Sequence, residues 1–306
     1  MLVLNLWRLR LLQELADLGS MTAVAEAMQL SRPAVSQQLA QLEREVGVVL
    51  LERIPRGVQL TAAGLQLAAQ ARELLAHVEA IEADVAQAKG RVIGRVRIAS
   101  FGTFATTVAP PAVLRLQVEY PELNLSFAEL EPVDAIRGVV AHQVDVAVVD
   151  DLVPPQASSS SLEYVPLMED QFYVVLADSH RLAARPSLKL SELAAERWAI
   201  NESAAAYHGF LLNACWEAGF KPEIVCSCRS TMSAVSFVRT GWAVAVLPGL
   251  AAGTSIEGVV LRPLEPKLFR HISAAVTRGS TRRPSIAATL ATLWSEANKF
   301  ADGEPG

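Results

Sequence analysis

The sequence predicts an α+β chain of several domains: a small helical N-terminal unit, one long helix, then two α/β units. Three observations predict it. Residues 4–43 hold short helical stretches, the last two joined by a tight turn. Residues 62–89 form an Ala-rich run with apolar positions four and three apart. From Arg95 onward, short β-rich runs alternate with helical ones.

Leu11, Leu12, Leu15 and Leu18 give residues 4–18 an apolar helical stripe, which Gly19 ends. Ser20 is placed to cap a second helix, Met21 to Met28, whose Ala23 and Ala27 let a neighbour approach closely. Leu30 fills the turn before SRPAVSQQLAQLE, residues 31–43. There Ser31 is an N-cap, Pro33 sits in the tolerant first turn, and Val35, Leu39 and Leu42 make a narrow buried stripe. The other face carries Arg32, Ser36, Gln37, Gln38 and Gln41, where a merely solvated helix usually carries Glu/Lys pairs. Such groups can read base edges, and the whole is a helix-turn-helix pattern. Val48 to Leu51 and Val58 to Leu60 are expected to pair as strands around Pro55, Arg56 and Gly57, forming a wing with Arg53 and Arg56 at its outer end.

Thr61 is an expected N-cap for one helix over residues 62–89, about 27 residues or ~40 Å long. Leu67, Ala71, Leu74, Val78, Ile81, Val85 and Ala88 repeat at spacings of four and three, an a/d seam that predicts pairing of two chains in preference to packing on the helix's own domain. Gly90 to Gly94 marks a boundary. Beyond it, VRIA, a helix through Leu116, LNLSFAEL, a helix from Asp134 and VDVAVV form a βαβαβ pattern with a largely parallel sheet. Residues 154–161 read as a loop. A second α/β unit follows, with FYVVLA, WAIN, EIVCSC and AVAVLP as strands and a last helix near residues 285–299.

The net charge of −5 does not by itself advertise nucleic acid, and residues 1–64 balance six Arg against six acids. Those acids, Glu14, Asp17, Glu26, Glu43, Glu45 and Glu52, fall mostly off the proposed reading face. No run approaches the roughly 18 apolar residues of a membrane span, and Arg8 and Arg10 interrupt the apolar N-terminus, so a cytoplasmic protein is expected. Three cysteines argue against a disulfide framework, and five scattered histidines offer no metal-ligand spacing. The sequence holds no GxSxG, GxxxxGK[ST] or HExxH, which speaks against an enzyme. A solute-binding protein would share the two-lobed architecture, but the extra 90 N-terminal residues count against it.

With ADLGSMTAVAEAMQLSRPAVSQQLAQLEREVG, LLERIPRGVQLTAAG, VVLADSHRLA and VRTGWAVAVLP in this order, the chain resembles a LysR-type transcriptional regulator from about residue 4 to 299. The resemblance implies a winged helix-turn-helix (1–61), a long dimerising linker helix (62–90) and a C-terminal two-lobed α/β regulatory domain (91–302) resembling periplasmic binding proteins. Lobe I would cover about 95–164 and 284–300, and lobe II about 165–283. The implied partners are double-stranded operator DNA, a small-molecule effector, further copies of the chain as dimer or tetramer, and RNA polymerase, with no membrane, metal or cofactor. Three departures stand out: Met28 for a usual Leu, Leu51 for a common Phe, and Arg32 where Gln is most frequent. The first two conserve volume, whereas the third touches specificity.

The resemblance also assigns residues. Ser31, Arg32, Pro33, Ser36 and Gln37 would enter the major groove, with Arg53 and Arg56 on phosphate or the minor groove. Leu67, Leu74, Val78, Ile81 and Val85 would dimerise. Ligands of open parallel sheets sit beyond the C-terminal strand ends, which selects Ser100, Gly102 and Thr103, Asn201 and Ser203, and Ser230 and Thr231 for the effector. Hydroxyls and amides of this kind suit a carboxylate-bearing metabolite, although ordinary helix capping accounts for each one alone. Asp150, Asp151 and Glu202 also lie near this cleft, where they would favour a cationic effector group if they face it, with surface acids as the plainer reading. Peroxide sensing in the family uses a cysteine pair around the helix of Cys215, but the position nine residues earlier is Ala206, so inert thiols are expected here.

Overall fold

The computed structural model describes residues 4–54, 57–87, 91–152, 161–202, 205–252 and 257–301. The chain divides into two compact units, Met1–Arg91 and Val92–Gly306.

In the first unit, α1 (Leu6–Leu18), α2 (Met21–Ala27) and α3 (Arg32–Val46) precede a hairpin of β1 (Leu51–Ile54) and β2 (Gly57–Leu60), then α4 (Ala62–Gln87). Local chemistry sets each boundary. Asn5, Ser20 and Ser31 cap α1, α2 and α3 through their side-chain oxygens, and Gly19 and Gly47 end α1 and α3 in left-handed conformation. Leu9, Leu11, Leu12, Leu15, Val24, Val35, Leu39 and Leu42 close one core.

The hairpin begins later than the sequence suggests. Val48 and Val49 stay exposed, because the Glu43 carboxylate accepts the amides of Leu50 (2.8 Å) and Leu51 (3.0 Å) and so fixes where β1 starts. Thr61 caps α4, accepting from Gly64 N at 3.0 Å.

The α4 seam also needs correction. Gly64, Ala68, Ala71 and Leu75 are buried, and Ala68 and Ala71 belong to the unit's own core with Leu67 packed against it. Small residues there let the first half of α4 lie close on its neighbours. Leu74, Ile81 and Val85 remain exposed and Val78 half-exposed. Ala88 lies outside the described residues.

In the second unit, β3 (Gly94–Ser100), α5 (Gly102–Thr107), α6 (Ala109–Glu119), β4 (Leu123–Glu129), α7 (Pro132–Val140) and β5 (Val146–Asp150) form the expected parallel βαβαβ. The helix expected through Leu116 is two, since Pro110 and Pro111 open a new first turn at α6.

The remaining elements are β6 (Leu162–Ala177), β7 (Arg197–Asn201), α8 (Ala205–Glu217), β8 (Glu223–Cys228), α9 (Thr231–Arg239), β9 (Ala245–Pro248), α10 (Gly249–Ala252), β10 (Val259–Pro263), β11 (Phe269–Thr277) and α11 (Pro284–Ala301). The lobe limits shift with them. The first ten residues of β6 pair antiparallel with β11, which pairs with β5, so residues 162–171 and 269–277 belong to the lobe I sheet. From Phe172 onward the same strand pairs with β9 and β10 in lobe II. One uninterrupted strand thus serves both lobes.

Gly64 supplies a direct test of the first unit, because a Cβ there would stand 2.2 Å from the Leu50 carbonyl oxygen. Backbone cannot yield as a side-chain tip can, so Gly64→Ala should destabilise this unit by about 1–3 kcal/mol, read as a lowered chemical-denaturation midpoint.

Candidate functional site

On α3, the buried stripe of Val35, Leu39 and Leu42 turns Arg32, Pro33, Ser36, Gln37 and Ala40 outward together. Ser31 Oγ is engaged by Ala34 N at 3.3 Å. Two glutamines leave the expected reading set. Gln38 accepts from Arg8 Nε at 2.9 Å, and Gln41 donates to Glu45 at 3.2 Å. Three of the unit's acids are spent internally: Glu43 on the β1 amides, Glu45 on Arg8, and Asp17 on Arg72. The Arg8 hydrogen bond also holds the Glu45 carboxyl below its usual range. Three of the six acids are thus committed within the unit, while Glu26 and Glu52 stay exposed. The Arg53 side chain and Arg56 lie outside the described residues.

The second unit contains a cavity of about 450 Å³ between its lobes. Its wall gathers the C-terminal ends of β3, β4, β5, β7 and β8: Phe101 and Gly102 after β3, Glu129 ending β4, Asp150 ending β5, Asn201 ending β7, and Arg229 and Ser230 after β8. Of the expected residues, Gly102, Thr103, Asn201, Ser230 and Thr231 line it. Ser100 does not: it is fully buried, its hydroxyl turned to the Phe101 carbonyl at 3.4 Å. Ser203 lies outside the described residues. Asp151 pairs with exposed His271, and Glu202 accepts from Ser227 at 2.6 Å, so neither reaches the cavity.

A residue the sequence reading missed organises this wall. Arg270 is 4% exposed. Its Nε and Nη2 donate to Asp170 Oδ2 at 3.0 and 2.7 Å, Nη1 to Asp150 Oδ2 at 3.2 Å, and Nη2 to Thr103 Oγ1 at 2.8 Å. The Phe101 ring lies 4.6 Å from the guanidinium carbon. Asp170 Oδ1 in turn accepts from Leu250 N of α10 at 3.1 Å. Burial pushes both aspartates above the usual carboxylate range, and Arg270 opposes that shift. Glu131 is raised by burial first, then by repulsion from Asp150 and Glu129. The signal for Arg270 was a charge on the inward phase of FRHISAAV, where Ile272, Ala274 and Val276 are also buried.

Two family models match the chain. Residues 6–65 fit the bacterial regulatory helix-turn-helix protein of the lysR family, and residues 89–298 fit the LysR substrate binding domain. The chain belongs to the LysR family of transcriptional regulators. It is 28% identical to the uncharacterized regulator YvbU of Bacillus subtilis, over 94% of this chain and 96% of that one. Its fold is that of solved LysR-family regulators. A full-length OxyR variant from Pseudomonas aeruginosa is 21% identical with a TM-score of 0.75, covering 97% of this chain and 95% of its own. CbnR in complex with its target DNA is 22% identical with a TM-score of 0.55, covering 96% and 100%.

In this LysR-family regulator, burial pushes the thiol of Cys215 up to about 11, and Ala206 lines the cavity. Cys226 and Cys228 hold their sulfurs 3.2 Å apart as free thiols, and burial pushes Cys226 up to about 11 as well. High thiol values of this kind oppose thiolate chemistry. Among the described residues, no His/Cys/Asp/Glu group suits a metal, and no helix is long and apolar enough to cross a membrane.

Two outcomes test the cavity wall. Arg270→Met strands two buried carboxylates and should cost about 3–5 kcal/mol in denaturant melts. Glu131 has a raised folded-state value, so its contribution is intact below the unfolded value and is lost as pH rises through the folded one. Glu131→Gln should therefore match wild-type stability below the ordinary carboxylate value of 4.5 and exceed it near neutrality, in paired thermal melts across pH.

Proposed function

We propose that this regulator binds operator DNA as a dimer or tetramer, two copies pairing along the exposed part of α4 and each presenting the outer face of α3 to the major groove. A small molecule held in the interlobe cavity would modulate that binding, in the cytoplasm and in contact with RNA polymerase. The observation that carries the reading is the pairing of two unspent surfaces in one unit. Leu74, Ile81 and Val85 expose apolar side chains on one helix, and Arg32, Ser36 and Gln37 face outward with no intramolecular partner among the described residues. The complex of CbnR with its target DNA supports it by analogy. Arg32, Arg53 and Arg56 offer few phosphate contacts per copy, and counterion release then favours two copies acting together.

Ile81→Asp with Val85→Asp alters two side chains that are mostly exposed within one copy. The double variant should remain folded by circular dichroism, become monomeric by light scattering and lose specific DNA binding. A double variant that stayed dimeric would exclude the seam as the main contact. Arg32→Ala should weaken the cognate site by ~1–3 kcal/mol per half-site and relax base preference there, measured by selection on randomised duplexes at two salt concentrations. If it only flattened the salt slope, Arg32 would be a phosphate clamp and Ser36 and Gln37 would carry specificity.

A further inference from the structure

We propose that the effector of this regulator carries a protonated nitrogen, an amine or guanidinium, seated against Glu129, Glu131 and Asp150 on the lobe I side of the cavity. The inference rests on the reading of this cavity as the effector site and adds the charge class it selects. Three carboxylates and two guanidinium groups line the space. Arg270 is already committed: its donors go to Asp170, Asp150 and Thr103, and Asp170, which does not line the cavity, takes two of them. Arg229 sits on the lobe II wall beside Ser230 and Thr231. The lobe I side therefore keeps an excess of negative charge.

The Asp150 side chain is 6% exposed, with Oδ2 held by Arg270 and the Leu152 amide also favouring its ionised form, so it acts on the cavity through its charge. A positive charge in the cavity lowers the cost of keeping that buried carboxylate ionised. Glu131 is the N-cap residue of α7, and its side chain makes no capping bond, which leaves its oxygens for a ligand. Gly102 keeps the third carboxylate accessible, since a Cβ there would stand 2.9 Å from Glu129 Oε1. Burial raises Glu131 first, and the repulsion from Asp150 and Glu129 that adds to it would be relieved by a cation and aggravated by an anion. The carboxylate expected from the sequence finds no welcome at this end; it fits only at Arg229, Ser230 and the first turn of α9.

The test uses the full chain, with thermal shift and calorimetry against L-arginine, L-lysine and agmatine, and against glutarate and L-norleucine, at matched ionic strength. At least one of the three cations should raise the melting temperature, and Glu131→Gln and Asp150→Asn should each weaken its binding by about tenfold or more. If Asp150→Asn fails to fold, Glu129→Gln takes its place. Stabilisation by glutarate and by none of the cations, abolished by the cavity-filling Ala206→Phe, would overturn the charge class and leave the cavity as the effector site. A cation whose binding survives both Glu131→Gln and Ala206→Phe would overturn the cavity reading itself. No shift with any of the three cations would also overturn the proposal.

Discussion

The buried Arg270 guanidinium is the interaction on which the regulatory unit depends. It sits where β11 crosses β6, opposite Asp170 in the strand register, and reaches Asp150 at the end of β5 and Thr103 at the start of α5. One planar group thus ties a return strand, a parallel strand and a helix start, while Asp170 extends the network to α10 through Leu250 N. Lysine could supply the charge but not these fixed directions. Neutralising two buried aspartates with one cation leaves an electrostatic deficit, and the cavity opens on that deficit.

The DNA-binding unit solves a different problem, that of presenting polar groups on a chain segment with no excess of basic residues. It does so by using its acids structurally. Glu43 fixes the start of the wing, Glu45 holds Arg8, and Asp17 holds Arg72 on α4. These contacts keep negative charge in defined places, and the α3 face emerges with Arg32 as its charged group. A face with one charged group would attract DNA only modestly at long range and leave discrimination to short-range contacts.

The sequence made the architecture legible because its signals were local: caps at Ser20, Ser31 and Thr61, stripes at helical spacing, and alternation of strand and helix. The cavity was legible where one rule, ligands beyond strand ends, was applied to hydroxyl-bearing segments, and five of the seven expected residues line it. The same rule reaches Glu129 and Asp150, the last residues of β4 and β5, but Asp150 read as one of three surface acids with Asp151 and Glu202. Arg270 was out of reach for another reason: its partners Asp170, Asp150 and Thr103 are 100 or more residues away. On α4, periodicity revealed a stripe but not its owner, since Ala71 and Leu75 face the unit's own core while Ile81 and Val85 do not.

The sixteen residues of β6 run from one sheet into the other without a break, and no glycine occurs among them. Two bodies sewn along a common thread behave unlike two bodies joined by a swivel. A swivel concentrates rotation at one or two dihedrals and lets each body keep its shape. A shared ladder spreads deformation along its length, here with a register shift between Pro166 and Met168, so a narrowing of the space between the lobes would be taken up as twist in both sheets.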